Sequence, residues 1–170
     1  MKPDMFSEPF SAWVIRARYA IEVSDEGPVA LIADVGGEIR YYVHFGGLAG
    51  FSLTRAERSE PEGFIMSSSD LIDIERYLAV KLADDVRERE GLTRLQIPGR
   101  IGEYAARASA HEDDGRVTIV VGERPPVRFV HNDPYRLQPD VQFSHFAEAS
   151  VAEIIESALS VSGGPLFSTN

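Results

Sequence analysis

SSSDLIDIERYL, residues 67–78, is the stretch on which the reading of the fold turns. It packs three serines, Asp70, Asp73 and the pair Glu75-Arg76 into one short segment. That density of hydroxyls and carboxylates fits an active site, a phosphate cradle or the start of a helix. Apolar residues decide between them. Leu71, Ile74, Leu78, Leu82 and Val86 recur in steps of three and four, the spacing of one helical face. Asp70 suits the N-cap, and Asp73 sits near the positive end of the helix dipole. Strong helix formers continue to Glu90, and Gly91 supplies a stop. The spacing therefore predicts a long helix from Asp70 to Glu90, with the polar cluster as its entrance. On this pattern Glu75 and Arg76 lie on the charged side, and Tyr77 packs with its hydroxyl at the boundary.

The flanking sequence predicts sheet. Ser7-Glu8-Pro9 opens a short helix to Arg18, with Phe10, Trp13, Val14 and Ala17 on one face. Short strands follow over 21–23, 29–33, 39–45, 51–54 and 64–66, separated by turn sequences such as Asp25-Glu26-Gly27-Pro28 and Ser59-Glu60-Pro61-Glu62-Gly63. After the long helix, strands are expected over 104–110, 117–121, 127–130 and 141–143. A carboxy-terminal helix opens near Ser150 and stops at Gly163-Gly164-Pro165. Leu166 and Phe167 then either dock on the body or fray. The class is α+β, with antiparallel meanders, an N-terminal helix, a long central helix and a C-terminal helix. At 170 residues this suits a single domain, 1–170, with halves 1–90 and 91–170.

The two β regions resemble each other. Tyr19 to His44 and Tyr104 to His131 each begin with Tyr-Ala and pass an acidic turn ending in Gly. Each then holds an apolar strand and a strand carrying an Arg, and ends in Val-His. An internal duplication explains this, and so does the general likeness of any two meanders.

Composition excludes several functions. The net charge of −10 and pI of about 4.8 oppose binding to nucleic acid phosphates and favour association with a basic partner. Cysteine is absent, so disulfides and thiolate metal sites are excluded. No apolar run approaches the roughly 18 residues that span a bilayer, and the amino terminus, with Asp4 and Glu8, lacks a signal core. A cytoplasmic protein that avoids membranes is expected. Of 17 basic residues only Lys2 and Lys81 are lysines, a skew that fits a GC-rich coding bias.

No catalytic constellation is found. His44, His111, His131 and His145 lack metal-ligand spacing. No serine sits in a Gly-x-Ser-x-Gly elbow. Gly46-Gly47-Leu48-Ala49-Gly50 leads into a strand, so it lacks the helix N-terminus of a phosphate site. Paired acids such as Asp84-Asp85 read as solvated surface. Neither metal, cofactor nor catalytic residue is expected, and the chain reads as an acidic α+β binding protein.

Phe51 to Arg58 (FSLTRAER), Asp73 to Leu78 (DIERYL), Val86-Arg87 and the closing Gly163 to Phe167 (GGPLF) resemble a family of actinobacterial immunity proteins directed at polymorphic toxins. The chain resembles in particular the group containing the immunity factor for the tuberculosis necrotizing toxin, an NAD glycohydrolase. The resemblance implies a non-enzymatic inhibitor that meets a cognate secreted toxin domain in the cytoplasm and plugs its cleft as a monomer. Two competing classes are an acidic secretion chaperone and a small hydrolase using His44 or His131. Loops vary more readily than sheets. The expected contact residues are therefore Ser59, Glu60 and Glu62 in one turn, and Glu112, Asp113 and Asp114 in another.

Overall fold

The structure, a computed structural model, describes residues 5–170; Lys2 and Asp4 lie outside the described residues. Helix α1 (Glu8–Arg16) leads into strands β1 (Tyr19–Val23), β2 (Ala30–Asp34), β3 (Ile39–Phe45), β4 (Phe51–Glu57) and β5 (Gly63–Ser68). Helix α2 (Leu71–Arg89) and the short strand β6 (Leu95–Gln96) follow. Strands β7 (Ala108–Asp113), β8 (Arg116–Val121) and β9 (Val127–Val130) form the second β region. Helices α3 (Pro139–Ser144) and α4 (Val151–Leu159) and strand β10 (Ser168–Thr169) complete the chain.

Both β regions share one antiparallel sheet of eight strands, in the order β1-β2-β3-β4-β5-β9-β8-β7. Strand β5 joins β9 through the pairs Met66–Phe129, Ser67–Arg128 and Ser68–Val127. One cross-strand row runs Val23, Ala30, Val43, Leu53, Met66, Phe129, Val117 and Glu112. The six inner members are buried, because alternate residues of each strand face the helices. The meanders β1–β3 and β7–β9 match in strand order and lie on opposite flanks. They part company afterwards: β3 continues into β4 and β5, whereas β9 leads to α3.

Helix α2 is the centre of the second layer, packed on β4 and β5 and flanked by α1 and α4. Asp70 caps it, with Oδ1 accepting from the Ile72 N–H at 3.0 Å, and Gly91 ends it at φ +70°. Ile74, Leu78, Leu82 and Val86 are buried as their spacing requires; each contributes roughly 1.5–3 kcal/mol. The only tryptophan, Trp13, donates its indole N–H to the Ala79 carbonyl at 2.9 Å, which pins α1 to α2.

The charged side of α2 is not a solvent face. Asp73, Glu75 and Arg87 are buried, and Arg76 is nearly so. The helix is enclosed on several sides, so its charges are satisfied by protein. Asp73 accepts from Ser68 Oγ at 2.7 Å, Arg76 Nη1 at 2.9 Å and Arg124 Nη2 at 2.7 Å. Arg76 also donates Nε to the Ala149 carbonyl at 2.6 Å. Glu75 accepts from the backbone N–H of Ser7 at 2.8 Å and from its hydroxyl. Ser7 thus stands at the N-cap of α1 but spends its side chain on α2 instead of on its own helix. Arg87 has no carboxylate partner among the described residues and donates to the carbonyls of Thr93, Ala158, Ser160 and Val161 at 2.6–3.1 Å. Three of those carbonyls lie at the end of α4, where the helix dipole favours a cation.

Two further expectations are corrected. Residues 141–143 are helical: Pro139 at the first turn and Asp140 beside it form a helix start, and three alternating residues are too few to make a strand. Strand β7 begins at Ala108, so Tyr104 precedes it and donates its hydroxyl to Asp140 instead. The glycine-rich loop after β3 is a 3₁₀ turn over Gly47–Ala49. Gly50, at φ +77°, lies so close to β5 that a Cβ would stand 2.4 Å from the Ser68 carbonyl oxygen. The tail docks: Phe167 is buried, and β10 pairs with β6. A capping box between Ser150 and Glu153 opens α4.

Candidate functional site

Alternate strands run in opposite directions, so the β4–β5 turn, the β7–β8 turn and the exit from β9 all leave the same end of the sheet. The first turn carries Ser59, Glu60 and Glu62; the second carries Glu112, Asp113 and Asp114. All six are exposed. Between the turns, the Arg116 guanidinium lies over the Phe64 ring at 3.8 Å. Glu62 is the one engaged in a side-chain cluster: its Oε2 accepts from Thr54 and lies 2.9 Å from His44 Nε2. The Thr54 hydroxyl, with His44 beside it, holds the Glu62 carboxyl below the usual carboxylate range.

This His44–Glu62–Thr54 cluster is the nearest approach to a hydrolase site. A nucleophile–base–acid relay needs the hydroxyl on one imidazole nitrogen and the carboxylate on the other. Here both crowd Nε2, at 3.3 and 2.9 Å, and the hydroxyl donates to the carboxylate. Among the described residues no group of three or more His, Asp or Glu stands together as a metal site.

Around the same end the sequence reading missed two features. One is a set of exposed apolar side chains: Tyr135 is 98% exposed, and Ile101 and Leu137 are each 55% exposed. Their signal was available, since Tyr-Arg-Leu interrupts the polar loop after Asn132-Asp133-Pro134. The other is a groove of about 1060 Å³ on the helix side. Its walls include Tyr41 and Arg55 of the sheet, Tyr77 and Lys81 of α2, and Leu137 and Gln142. Arg55 faces the helices because it pairs with Tyr41 in the row beside the apolar one. Burial raises the hydroxyls of Tyr41 and Tyr77, so both stay neutral donors, and burial lowers the Lys81 ammonium. These residues come from four separate stretches of chain, and no local pattern joins them.

A family model described as Immunity protein 61 matches residues 13–166. The chain belongs to this family. It is an immunity protein, one that binds and inhibits a cognate toxin. The immunity factor for TNT of Mycobacterium tuberculosis is 29% identical over 137 residues, spanning 78% of this chain and 74% of that one. The immunity factor for TNT homolog of Mycobacterium bovis matches with the same figures. The solved structure of Rv3902c from M. tuberculosis superposes with a TM-score of 0.82 at 22% identity, covering 96% of this chain and 94% of that one. At that identity the likeness establishes the fold. No helix of the immunity protein is long and apolar enough to cross a membrane among the described residues.

Proposed function

We propose that this immunity protein neutralises a secreted toxin domain related to the target of the TNT immunity factors, an NAD glycohydrolase. It does so in the cytoplasm, as a monomer and without catalysis, by covering the toxin's substrate cleft. The observation that carries this reading is the convergence of Ser59, Glu60 and Glu62 with Glu112, Asp113 and Asp114 on one end of the sheet. Two acidic turns at one end of the sheet, with Arg116 between them, present two negative patches to a basic toxin surface. Such patches raise the encounter rate more than the final affinity. The 29% identity to the TNT immunity factors supports the toxin class.

The test uses the toxin domain encoded by the same host. NAD consumption by that domain should stop when one equivalent of this protein is added. Reversing Glu60 and Glu112 to lysine should slow association about tenfold at low salt and leave dissociation nearly unchanged. An unchanged association rate removes these turns from the interface, and NAD loss that continues with bound protein refutes cleft blocking.

A further inference from the structure

The groove beside α2 is cationic in a chain whose net charge is −10. Its charges do not balance locally. Asp84 is taken by Arg94 at 2.8 Å, and Arg55 has Glu57 at 2.9 Å. The Glu103 carboxylate accepts the backbone N–H groups of Gly99 and Arg100 at 3.1 and 2.9 Å. Each nearby carboxylate is thus already engaged. Lys81 and Arg100 feel Asp84 and Glu103 only through space, and the lining cations Arg55, Lys81, Arg94 and Arg100 outnumber those two lining carboxylates. Lys81 Nζ reaches only the amide oxygen of Gln142 at 3.5 Å and lies 5.3 Å from the centre of the Tyr77 ring. Neither Lys81 nor Arg100 has an ion-pair partner among the described residues. An ammonium held mostly out of water, whose nearby carboxylate Asp84 is shared with Arg94, is weakly compensated, and a carboxylate arriving from outside adds to its stabilisation.

The shape indicates what brings that carboxylate. At about 1060 Å³ the groove slightly exceeds the roughly 300–1000 Å³ of a small-molecule pocket. Strand β6 lines it together with Ser168 of its partner β10, and the lining runs on through residues 97–100, which gives the groove a long wall of chain. Gly63 and Phe64 also line it, and they follow the Ser59–Glu62 turn directly, so the groove continues the proposed contact edge. Exposed Leu137 on its wall supplies an apolar anchor.

We infer that this groove is a second contact site, which receives an extended acidic segment of the bound toxin and pairs its carboxylates with Lys81 and Arg100. The inference rests on the immunity reading. The immunity protein therefore grips its partner with both signs of charge: acidic turns meet a basic surface, and a cationic trough takes an acidic strand.

Lys2 and Lys81 are the only lysines, so full-length protein carrying ¹³C-labelled lysine gives two side-chain signals, and the Lys81→Met variant assigns them. A capped tetraglutamate peptide should move the Lys81 Cε signal, with the shift shrinking as salt is added. A capped tetraglutamine peptide should leave it in place. No movement with tetraglutamate, or equal movement with both peptides, overturns the inference. In the toxin complex, Lys81→Met and the rim variant Arg100→Gln should each raise Kd at least tenfold, while Lys81→Arg stays within about threefold. Wild-type affinity in both the Met and Gln variants overturns it as well, and if Lys81→Met does not fold, wild-type affinity in Arg100→Gln alone overturns it. Failure of the unaltered protein to bind the toxin would sink the immunity reading instead, and the peptide titration would still decide the chemistry of the groove.

Discussion

Two sets of charged side chains in this protein look alike in sequence and meet opposite fates. Asp73, Glu75, Arg76 and Arg87 lie on α2 and are buried. Glu60, Glu112, Asp113 and Asp114 lie on turns and are exposed. Nothing in the residue types separates the sets; each is a short polar cluster beside apolar positions. What separates them is which distant atoms arrive. Arg124 and Ala149 come to the start of α2 from more than fifty residues downstream, and Ser7 comes from the amino terminus. The side chains of Glu60, Glu112, Asp113 and Asp114 have no such hydrogen bond or ion pair among the described residues. A charge on a helix is thus a surface marker only when nothing else packs there, and α2 is packed against the sheet, α1 and α4.

Removing members of the buried set should break this contrast most visibly. Arg87→Met takes a donor from four carbonyls, of which that of Ser160 keeps the Gly163 N–H, and a loss of about 3–5 kcal/mol is expected in urea unfolding. Asp73→Asn strands the buried Arg76 and part-buried Arg124, for a loss of about 3 kcal/mol. Adding Arg124→Met to that variant should cost less than its effect alone, because the two share one network. Full additivity in this cycle would mean that the ion pair contributes nothing.

Glu75 sharpens the comparison through pH. Burial raises its carboxyl above the usual 4.5, despite the two donations from Ser7. The folded state therefore favours the protonated form. Its contribution is fully present below the unfolded-chain value and is lost as pH rises through the higher folded one. Stability of the native chain minus that of Glu75→Gln should accordingly fall as pH is raised from about 4, and a flat difference would refute the shift. The smallest effect belongs to the exposed set. Glu60→Lys or Glu112→Lys should change stability by less than about 0.5 kcal/mol, which thermal melting would check.

Much of the fold was legible from local signals. Apolar spacing placed α2 within a residue of its ends, and turn sequences placed β2, β3 and β9 within one or two residues. Ser150 announced the start of α4. The failures share a cause. Residues 141–143 were too few for periodicity to tell strand from helix, and the Pro139-Asp140 start outweighed the alternation. The burial of Glu75 and Arg76, the joining of β5 to β9 and the groove around Lys81 all depend on contacts far apart in sequence. The acidic turns were visible as turns, and only the topology shows that they share an end.

The β5–β9 seam also sets the order in which the molecule can assemble. Strands β1 to β5 and helices α1 and α2 are near neighbours along the chain and can collapse early. The sheet is completed only when Met66 meets Phe129, more than sixty residues later. Closing that loop is the entropically slow step expected of a topology rich in distant contacts. Until it closes, Asp73 lacks Arg124 and keeps its water. In this topology the amino-terminal portion cannot complete the Asp73–Arg76 cluster by itself, since Arg124 and Ala149 are supplied by the later half of the chain.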